Sequence, residues 1–439
     1  MFAYYLKLAA RSLGRTPAVS ALMVLAIGLG IGVCMTMLSV YALMSGDPIP
    51  HKSDRLYAVQ LDNWDPNQPA SEPNEPPRQL TWRDALALAE RTPDGIPRVA
   101  MAGTGMLFEV PDSADVRPEI ISGRAATADF FTLFDVPFLY GGGWDRLADR
   151  DAGQVVVLSR AVNDRLFGGE DSTGRSLKAG DIYLRVVGVV DDWRPTPRFY
   201  DLNSGVFDPS DDAFVPLSLF DRQRQRHEWG INGSVNCWEP PPAEGLFASE
   251  CVFTQFWVEL PDASAVRDYH EFLDAYVLEQ KQLGRFQRPL NNRLSDVNEW
   301  LDVNEVVAED NTVLLGLSFM FLVVCLLNMV GLLLAKFLGR AGDVGVRRAL
   351  GASRVEVFRQ HLVEVGLLGA CGGVLGLGLA WGGLAGVRTL YADYERVAHL
   401  NVELVLVAVG LAVLAGLVAG LYPAWRICRI APAVYLKTQ

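Results

Sequence analysis

Four long apolar stretches constrain the fold of this 439-residue chain more than any other feature. Each holds the roughly 20 mostly apolar residues that a helix needs to cross a bilayer. They are residues 18–44, 312–338, 362–387 and 402–425. Charges are rare in them: Lys336 lies near the end of the second, Glu364 near the start of the third and Glu403 at the edge of the fourth. Buried helices of soluble proteins are usually shorter and carry more charge, so the sequence predicts four membrane spans.

Lysine and arginine are unevenly distributed around these spans. The cationic residues before the first span, around the loop between the second and third spans, and after the fourth span are Lys7, Arg11, Arg15, Lys336, Arg340, Arg347, Arg348, Arg354, Arg359, Arg426, Arg429 and Lys437. Residues 45–311, by contrast, hold 25 basic and 45 acidic side chains. Cytoplasmic flanks carry the excess of lysine and arginine. We therefore expect residues 1–17, 339–361 and 426–439 in the cytoplasm, and residues 45–311 and the short loop 388–401 on the outer side.

The N-terminal segment before the first span has an amphipathic pattern. Within residues 2–15, Phe2, Tyr5, Leu6 and Leu13 fall roughly on one helical face, with the basic groups elsewhere. This pattern is typical of an interfacial helix on the inner leaflet, and an ordinary solvated helix end remains open as the alternative. The apolar run that follows is too long for the core of a cleaved signal peptide, which favours a membrane anchor.

The outer segment combines strand and helix patterns. Apolar β-branched runs predict strands, and charged-apolar stretches predict helices. The strands are residues 154–159, 183–190 and 253–260, and the helices are residues 81–91, 160–167 and 263–283. Residues 66–77, 168–180 and 191–216 are rich in turn-forming residues and predict loops. The expected fold is an integral membrane α+β protein: four transmembrane helices, with a large mixed α/β domain inserted between the first two.

Cysteine and glycine give further expectations. Cys237 and Cys251 are the two cysteines of the outer segment, and in an oxidising compartment such a pair suggests one disulfide. Two free thiols too far apart to bond remain the alternative. Glycines four residues apart allow close approach of helices in lipid. The pairs in the spans are Gly28 and Gly32, Gly372 and Gly376, Gly378 and Gly382, Gly382 and Gly386, and Gly416 and Gly420.

The sequence shows no pattern that predicts catalysis. Residues 169–176, GEDSTGRS, match the spacing of a phosphate-binding loop, but Arg175 replaces the lysine. The flanking patterns are also reversed, with a helix before the segment and a strand after it, so a turn is the better interpretation. The acidic groups Asp191 with Asp192 and Asp208 with Asp211 and Asp212 have no calcium-loop spacing, and the five histidines have no metal-ligand spacing. We expect neither a catalytic residue nor a metal site.

The basic loop between the second and third spans resembles a known signature. The stretch DVGVRRALGASRVEVFRQHLVEVGLLGACGGVLG, residues 343–376, is similar to that of the FtsX-like permeases, the membrane subunits of MacB-type (type VII) ABC transporters. FFTLFDVPFLYGG and VVGVVDDW resemble the periplasmic core domain of that family, and YPAWRICRIAPAVYLK resembles the end of its fourth span. The usual Glu-Ile-Gly-Ile of the loop is here Asp343-Val344-Gly345-Val346, a mild departure.

The resemblance implies a division of labour between subunits. Members lack ATPase activity and assemble as two permease subunits on separate or fused nucleotide-binding domains. We therefore expect this chain to bind no cofactor, with ATP and Mg used by a partner ABC ATPase. The other expected partners are a second permease subunit, as a homo- or heterodimer, a periplasmic adaptor and membrane lipid, with no nucleic acid. The expected location is the bacterial inner membrane, with the large domain in the periplasm.

The resemblance also assigns a role to the loop. It implies an ATPase-coupling segment, which we place on a helix over residues 344–357 with Val346, Leu350, Val355 and Phe358 as its apolar face. The expected coupling residues are Asp343, Val344, Gly345, Val346, Arg347, Arg348, Ala349, Leu350, Gly351, Ala352 and Arg354. The alternative is a basic loop that merely sets topology.

Three functions remain open at this point. The first is export of a drug, peptide, lipid or lipoprotein, driven by an ATPase and transmitted mechanically to the outer domain. The second is a signalling subunit that uses the same stroke to control a periplasmic hydrolase or sensor. The third is an envelope-anchored enzyme. An adaptor would favour the first and a bound hydrolase the second.

Overall fold

The chain divides into a helical unit and a mixed α/β unit. A computed structural model describes residues 2–71, 74–111, 117–226, 228–307, 309–390 and 402–428. The helical unit consists of Met1–Ser45 with Val307–Gln439, and the α/β unit is Gly46–Val306. The large domain is therefore an insertion between two membrane helices, as the sequence predicts.

The secondary structure follows in chain order. The helices are α1 (Phe2–Arg15), α2 (Pro17–Met44), α3 (Trp82–Arg91), α4 (Phe130–Leu133), α5 (Arg146–Asp151), α6 (Arg160–Phe167), α7 (Leu217–Arg224), α8 (Ala263–Gln282), α9 (Val297–Val303), α10 (Glu309–Leu338), α11 (Ala341–Ala349), α12 (Arg354–Leu390) and α13 (Val402–Cys428). The strands are β1 (Leu56–Gln60), β2 (Leu80–Thr81), β3 (Arg98–Glu109), β4 (Glu119–Ala126), β5 (Phe138–Gly141), β6 (Val155–Ser159), β7 (Ser176–Ala179), β8 (Ile182–Val190), β9 (Ala213–Pro216), β10 (Gly230–Ile231), β11 (Val252–Glu259) and β12 (Arg293–Asp296).

Four helices of the helical unit are long and apolar enough to cross a membrane: α2, α10, α12 and α13. A helix satisfies its own backbone hydrogen bonds, which lipid cannot do, so such stretches are stable only as helices there. Helix α12 continues to Leu390, so residues 388–390 are helical rather than part of the expected outer loop. The rest of that loop, and the tail beyond Cys428, lie outside the described residues.

Glycines allow the spans to approach closely. A Cβ added at Gly28 would lie 2.8 Å from Leu375, and one at Gly376 would lie 2.9 Å from Ile31, so α2 and α12 meet at small residues. A Cβ at Gly420 would lie 2.5 Å from Val365, at the contact of α13 with α12. The other predicted packing glycines, Gly32, Gly372 and Gly416, lie at the same two contacts. Gly378 and Gly382 have open space at the Cβ position, so that pair does not pack closely against another described helix.

The N-terminal segment forms the helix α1, which is buried on one side. Ala9 is buried and Ser12 and Leu13 are half-buried, whereas Leu6 is exposed. The buried side of α1 contacts α12 through residues such as Ser12. The location of α1 on the inner leaflet stays a prediction. The side chain of Phe2 lies outside the described part of the chain.

The α/β unit is built on one mixed sheet. Its main path has the order β12-β1-β11-β3-β4-β9-β6-β8-β5. Alternate residues of β11 enter different apolar clusters: Phe256 and Val258 lie in one, Trp257 in the other. Successive side chains of a strand point to opposite faces, so the sheet carries a core on each side. Helices α3, α6 and α8 contribute to the first cluster, and α4 and α9 to the second.

The strands and helices that were predicted for the α/β unit are present, each within one residue of its predicted ends. Two segments that were predicted to be loops contain short strands. Residues 191–216 were expected to be a loop, yet β9 forms at their end and pairs in parallel with β4 and antiparallel with β6. Residues 168–180 were likewise expected to lack strands, and they contain β7. Each has four residues, too few for a periodic signal, and is stabilised by neighbours distant in sequence. The structure joins Cys237 and Cys251 in a disulfide.

A fully buried ionic cluster anchors the loop after β8. Arg124 on β4 contacts two carboxylates: its Nη2 lies 2.6 Å from Asp201 Oδ2 and its Nε lies 2.6 Å from Asp211 Oδ2. Arg198 adds a contact of 2.8 Å to Asp211, and the Tyr200 hydroxyl donates to the same carboxylate. The charges compensate one another, so the cluster fixes the loop to the sheet.

Removing the central arginine tests this role. Arg124→Met leaves two carboxylates buried with reduced compensation, and we expect the α/β unit to lose about 3 to 5 kcal/mol of unfolding free energy. Pulse proteolysis of the full chain in urea measures the loss. Arg146→Met is the matched control, because its side chain is 75% exposed and its ion pair with Asp129 contributes at most about 1 kcal/mol. Equal effects of both variants would contradict a structural role for the cluster.

The same variant predicts a pH effect. Burial alone raises the pKa of Asp201 and Asp211, but Arg124 and Arg198 outweigh it, and the pKa of each is below its ordinary value. Such carboxylates stabilise the fold above their unfolded pKa, and the contribution is lost as pH falls through the lower, folded pKa. The stability difference between wild type and Arg124→Met should therefore narrow as pH falls below about 4. A difference that widens on acidification would contradict the assignment.

Candidate functional site

The loop between the second and third spans consists of two helices rather than the single helix expected over residues 344–357. Helix α11 ends at Ala349, and Gly351 has φ +104°, a conformation that ends a helix and favours glycine. Ser353 then begins α12: its Oγ accepts from Glu356 N (3.2 Å), and its own N donates to Glu356 Oε2 (2.9 Å). This reciprocal capping box starts a new helix, so the predicted continuous segment was wrong.

An apolar tip projects from this turn. Val346 at the end of α11, Leu350 in the turn and Val355 at the start of α12 are 49%, 83% and 56% exposed. We call these three residues the loop tip. Phe358, which was expected on the same face, instead packs against the core of the helical unit. Exposed apolar groups of this kind are typical of a surface that a partner covers.

Two arginines connect the loop to the neighbouring helices. Arg347 Nη1 donates to Gln360 Oε1 (2.8 Å) on α12, and Arg348 Nη1 donates to the Cys428 carbonyl (3.3 Å) at the end of α13. Arg354 is exposed at the start of α12. The remaining predicted residues, Val344, Gly345 and Ala352, lie in α11 and the turn. The backbones of Asp343 and Ala349 are helical, and their side chains lie outside the described part of the chain.

A buried ion pair lies directly behind the loop. Lys336 Nζ at the end of α10 is 2.7 Å from Glu364 Oε1 in α12, and both side chains are buried. Ser12 on α1 donates to the same carboxylate oxygen at 2.6 Å, and Lys336 Nζ lies 3.3 Å from Ser20 Oγ on α2. Arg340 binds both the hydroxyl and, at 3.1 Å, the carbonyl of Ser12. We call these five residues the buried ion cluster.

The sequence identified Lys336 and Glu364 separately but did not pair them. Opposite charges at the ends of consecutive spans were the signal that would have suggested the pair, since both ends lie at the same membrane level. Nothing in the pattern identified Ser12 or Arg340 as their partners. The cluster connects α1, α2, α10 and α12 directly behind α11. A displacement of the loop would therefore act on contacts between these four helices at once.

The outer carboxylates serve structural roles. Asp211 belongs to the Arg124 cluster, and Asp191 pairs with Arg160 at 2.9 Å. Arg175, at the lysine position of the near phosphate-loop segment, pairs with Glu170 at 3.0 Å, and the segment lies between α6 and β7. Within the described ranges, no group of three or more histidine, cysteine, aspartate or glutamate side chains is arranged to hold a metal.

Comparison with known proteins yields two family matches. Residues 20–271 match the MacB-like periplasmic core domain, and residues 315–432 match the FtsX-like permease C-terminal region. The first match contains most of the first span and most of the inserted domain, and the second contains nearly all of the second span and both later spans, so together they cover most of the sequence.

Curated relatives are similar over nearly the whole chain. The macrolide export ATP-binding/permease protein MacB of Azoarcus sp. (strain BH72) is 22% identical over 96% of this chain and 57% of its own length. MacB of Rhodospirillum rubrum is 24% identical over 100% of this chain and 61% of its own length. The chain thus spans about three fifths of these relatives. Among solved structures, the periplasmic region of MacB from Actinobacillus actinomycetemcomitans shares 13% identity over 58% of this chain and 95% of that one, with a TM-score of 0.37.

A double-mutant cycle tests the buried ion pair. Glu364→Leu leaves the Lys336 ammonium buried without its counter-charge, and we expect a loss of about 3 to 5 kcal/mol. The double variant Lys336→Met/Glu364→Leu removes both charges and should recover most of that loss. Thermal unfolding in detergent measures both variants and the single variant Lys336→Met, with Arg359→Gln, at an exposed position in the same helix, as the control. Additive losses in the double variant would show that the two side chains do not interact.

Proposed function

Because the chain belongs to the FtsX-like permeases with a MacB-like periplasmic core domain, we propose that it is an ABC transporter subunit that couples ATP hydrolysis by a separate ATPase to movement of its outer domain. The observation that carries the proposal is the pairing of an exposed apolar loop tip with a buried ion cluster directly behind it. The loop tip is suited to docking of the ATPase, and the buried ion cluster is suited to transmitting movement between helices. Neither needs a catalytic group in this chain.

The loop tip offers the ATPase an anchor. Leu350 is the most exposed of the three apolar residues, and an aliphatic anchor that enters a partner groove supplies much of the binding energy of such contacts. Exposed cationic groups surround it, notably Arg347 and Arg354. Their charges complement an acidic rim on the partner, which favours correct orientation more than affinity.

The buried ion cluster transmits the motion. Helix α11 is linked to α12 by Arg347 and to α1 through Arg340 and Ser12. Separating Lys336 from Glu364 inside the bundle leaves charges unpaired in a poorly solvated place, so the helices move together rather than apart. The outer domain follows in the chain from α2 and precedes α10, so both of its ends are attached to helices of this bundle.

We infer the topology, the cellular location and the partners from the distribution of charge and from the similarity to relatives. The excess of lysine and arginine around the spans supports cytoplasmic termini, a periplasmic outer domain and residence in a bacterial inner membrane. ATP and Mg would be bound by the partner ATPase, and the family implies a second permease subunit. The relatives named for macrolide export, and the pyoverdine export protein PvdT of Pseudomonas entomophila, 24% identical over 71% of this chain, support export as the task. An adaptor in the periplasm would deliver or receive the cargo.

One charge substitution at the loop tip tests docking. Leu350→Glu places a carboxylate where the partner groove is apolar, and we expect co-purification of the ATPase subunit to fall roughly tenfold or more. Leu283→Glu is the matched control, because Leu283 is 71% exposed but lies in the outer domain. The chain alone should not hydrolyse ATP, whereas the wild-type complex should. Retention of the ATPase by Leu350→Glu, or its absence from the wild type, would overturn the proposal.

Charge reversal in α11 gives an independent test. Arg347→Glu/Arg348→Glu should also dissociate the complex, by repelling an acidic rim. Both arginines donate hydrogen bonds to neighbouring helices, so this variant also changes the loop itself. Leu350→Glu therefore remains the cleaner variant, and proteolysis of the loop distinguishes lost docking from a disturbed fold. An intact complex in both variants would contradict docking at the loop.

A further inference from the structure

A cationic cavity lies beside the buried ion cluster, between α1 and the start of α12. Its volume is about 140 Å³, several times the roughly 30 Å³ that one water molecule occupies in the liquid. Four arginines line it: Arg11, Arg15, Arg340 and Arg347. Glu364 is its acidic lining residue, and that carboxylate is already compensated by Lys336.

The four guanidinium groups lack counter-charges. Arg340 bonds to Ser12 and Arg347 to Gln360, both neutral partners, and neither Arg11 nor Arg15 forms an ion pair with a described residue. In the outer domain, by contrast, arginines such as Arg124 and Arg285 meet carboxylates. Arg11, Arg15 and Arg347 are exposed and Arg340 is half-buried. The convergence of four cations without an ion-pair partner among the described residues makes the potential in the cavity positive and favours the entry of an anion.

A buried imidazole also lines the cavity without a partner. His361 is 5% exposed, and its Nδ1 has no hydrogen-bond partner among the described residues. The nearest carboxylate oxygen, Glu364 Oε2, lies 3.7 Å away, beyond hydrogen-bond distance. A buried polar atom without a partner indicates a missing ligand group, since such atoms are rarely left unsatisfied. A phosphate oxygen is able to accept a hydrogen bond from an N–H group at this Nδ1.

The position of the cavity indicates the source of the anion. Arg15 ends α1, and Pro17 begins the first span after a single intervening residue, so the cavity lies at the level where lipid headgroups meet the span ends. Exposed Tyr4 and Leu6 on α1 suit contact with that interface. The three loop-tip residues do not line the cavity, and Arg347 borders both surfaces. We propose that this cavity binds the phosphate group of an anionic phospholipid.

Native mass spectrometry of the full-length chain in detergent tests the site with phosphatidylglycerol as the probe. Wild type should bind it in preference to phosphatidylcholine. Arg11→Gln/Arg15→Gln should weaken binding about 30-fold, as expected for two basic side chains near a membrane surface. The control is Arg354→Gln/Arg359→Gln, which removes the same charge from exposed positions of α12 outside the cavity and should bind like wild type. No ATPase is present, so the outcome is independent of the docking proposal.

Three results would overturn the inference. Equal binding of phosphatidylcholine, or equal weakening in the control variant, would show non-specific lipid contact. Displacement of the lipid by inorganic phosphate at equal concentration would assign the cavity to a free anion. Thermal unfolding of Arg11→Gln/Arg15→Gln verifies that the variant is folded.

Discussion

The ion pair between Lys336 and Glu364 is the interaction on which the helical unit depends. A lysine and a glutamate within apolar helices are each costly, and together they are tolerated only in contact. The contact fixes the end of α10 against α12, and Ser12 brings α1 to the same point. A pair of this kind adds little net stability compared with apolar packing. What it supplies is a single register for the helices around the loop.

The outer domain uses buried charge in a comparable way. Arg124 sits within a strand, and its carboxylate partners come from a loop nearly 80 and 90 residues later, with sequence separations of 77 and 87. An irregular segment that carries no strand of its own until β9 is thereby given a defined path. In both units, a few fully compensated charges specify which segments meet, and apolar packing supplies most of the stability.

Sequence patterns predicted the elements whose signal is local. The spans, and strands β6 and β8, depend on apolar runs within one segment, and the structure places them where the pattern does. Strand β3 had no such signal because Gly103 and Gly105 interrupt it. A Cβ at Gly103 would lie 1.8 Å from the Asn232 carbonyl oxygen, so glycine is required where β10 crosses closely. That requirement becomes evident only when the distant segment is in place.

In the candidate site, too, the features with a local sequence signal were predicted and those that depend on distant residues were not. Its basic residues and the exposed Leu350 were predicted because composition and motif are local properties. The break at Gly351 was not predicted, since the sequence on both sides favours helix and the capping role of Ser353 depends on the conformation of the turn. The partners of Glu364 come from two other helices, α1 and α10, which no single segment could indicate.

The break at Gly351 makes α12 a separate long helix rather than a continuation of α11. Because the chain turns there, α12 begins at Arg354 and continues to Leu390 as a separate helix without a proline. Its 37 residues correspond to a length of about 55 Å at 1.5 Å per residue. The hydrocarbon layer is only about 30 Å thick. The helix is therefore longer than the hydrocarbon layer is thick, and its N-terminal end lies beside the loop tip. If the partner ATPase pushes at that end, as we propose, α12 carries the displacement to the opposite side of the bilayer without a solute having to follow it.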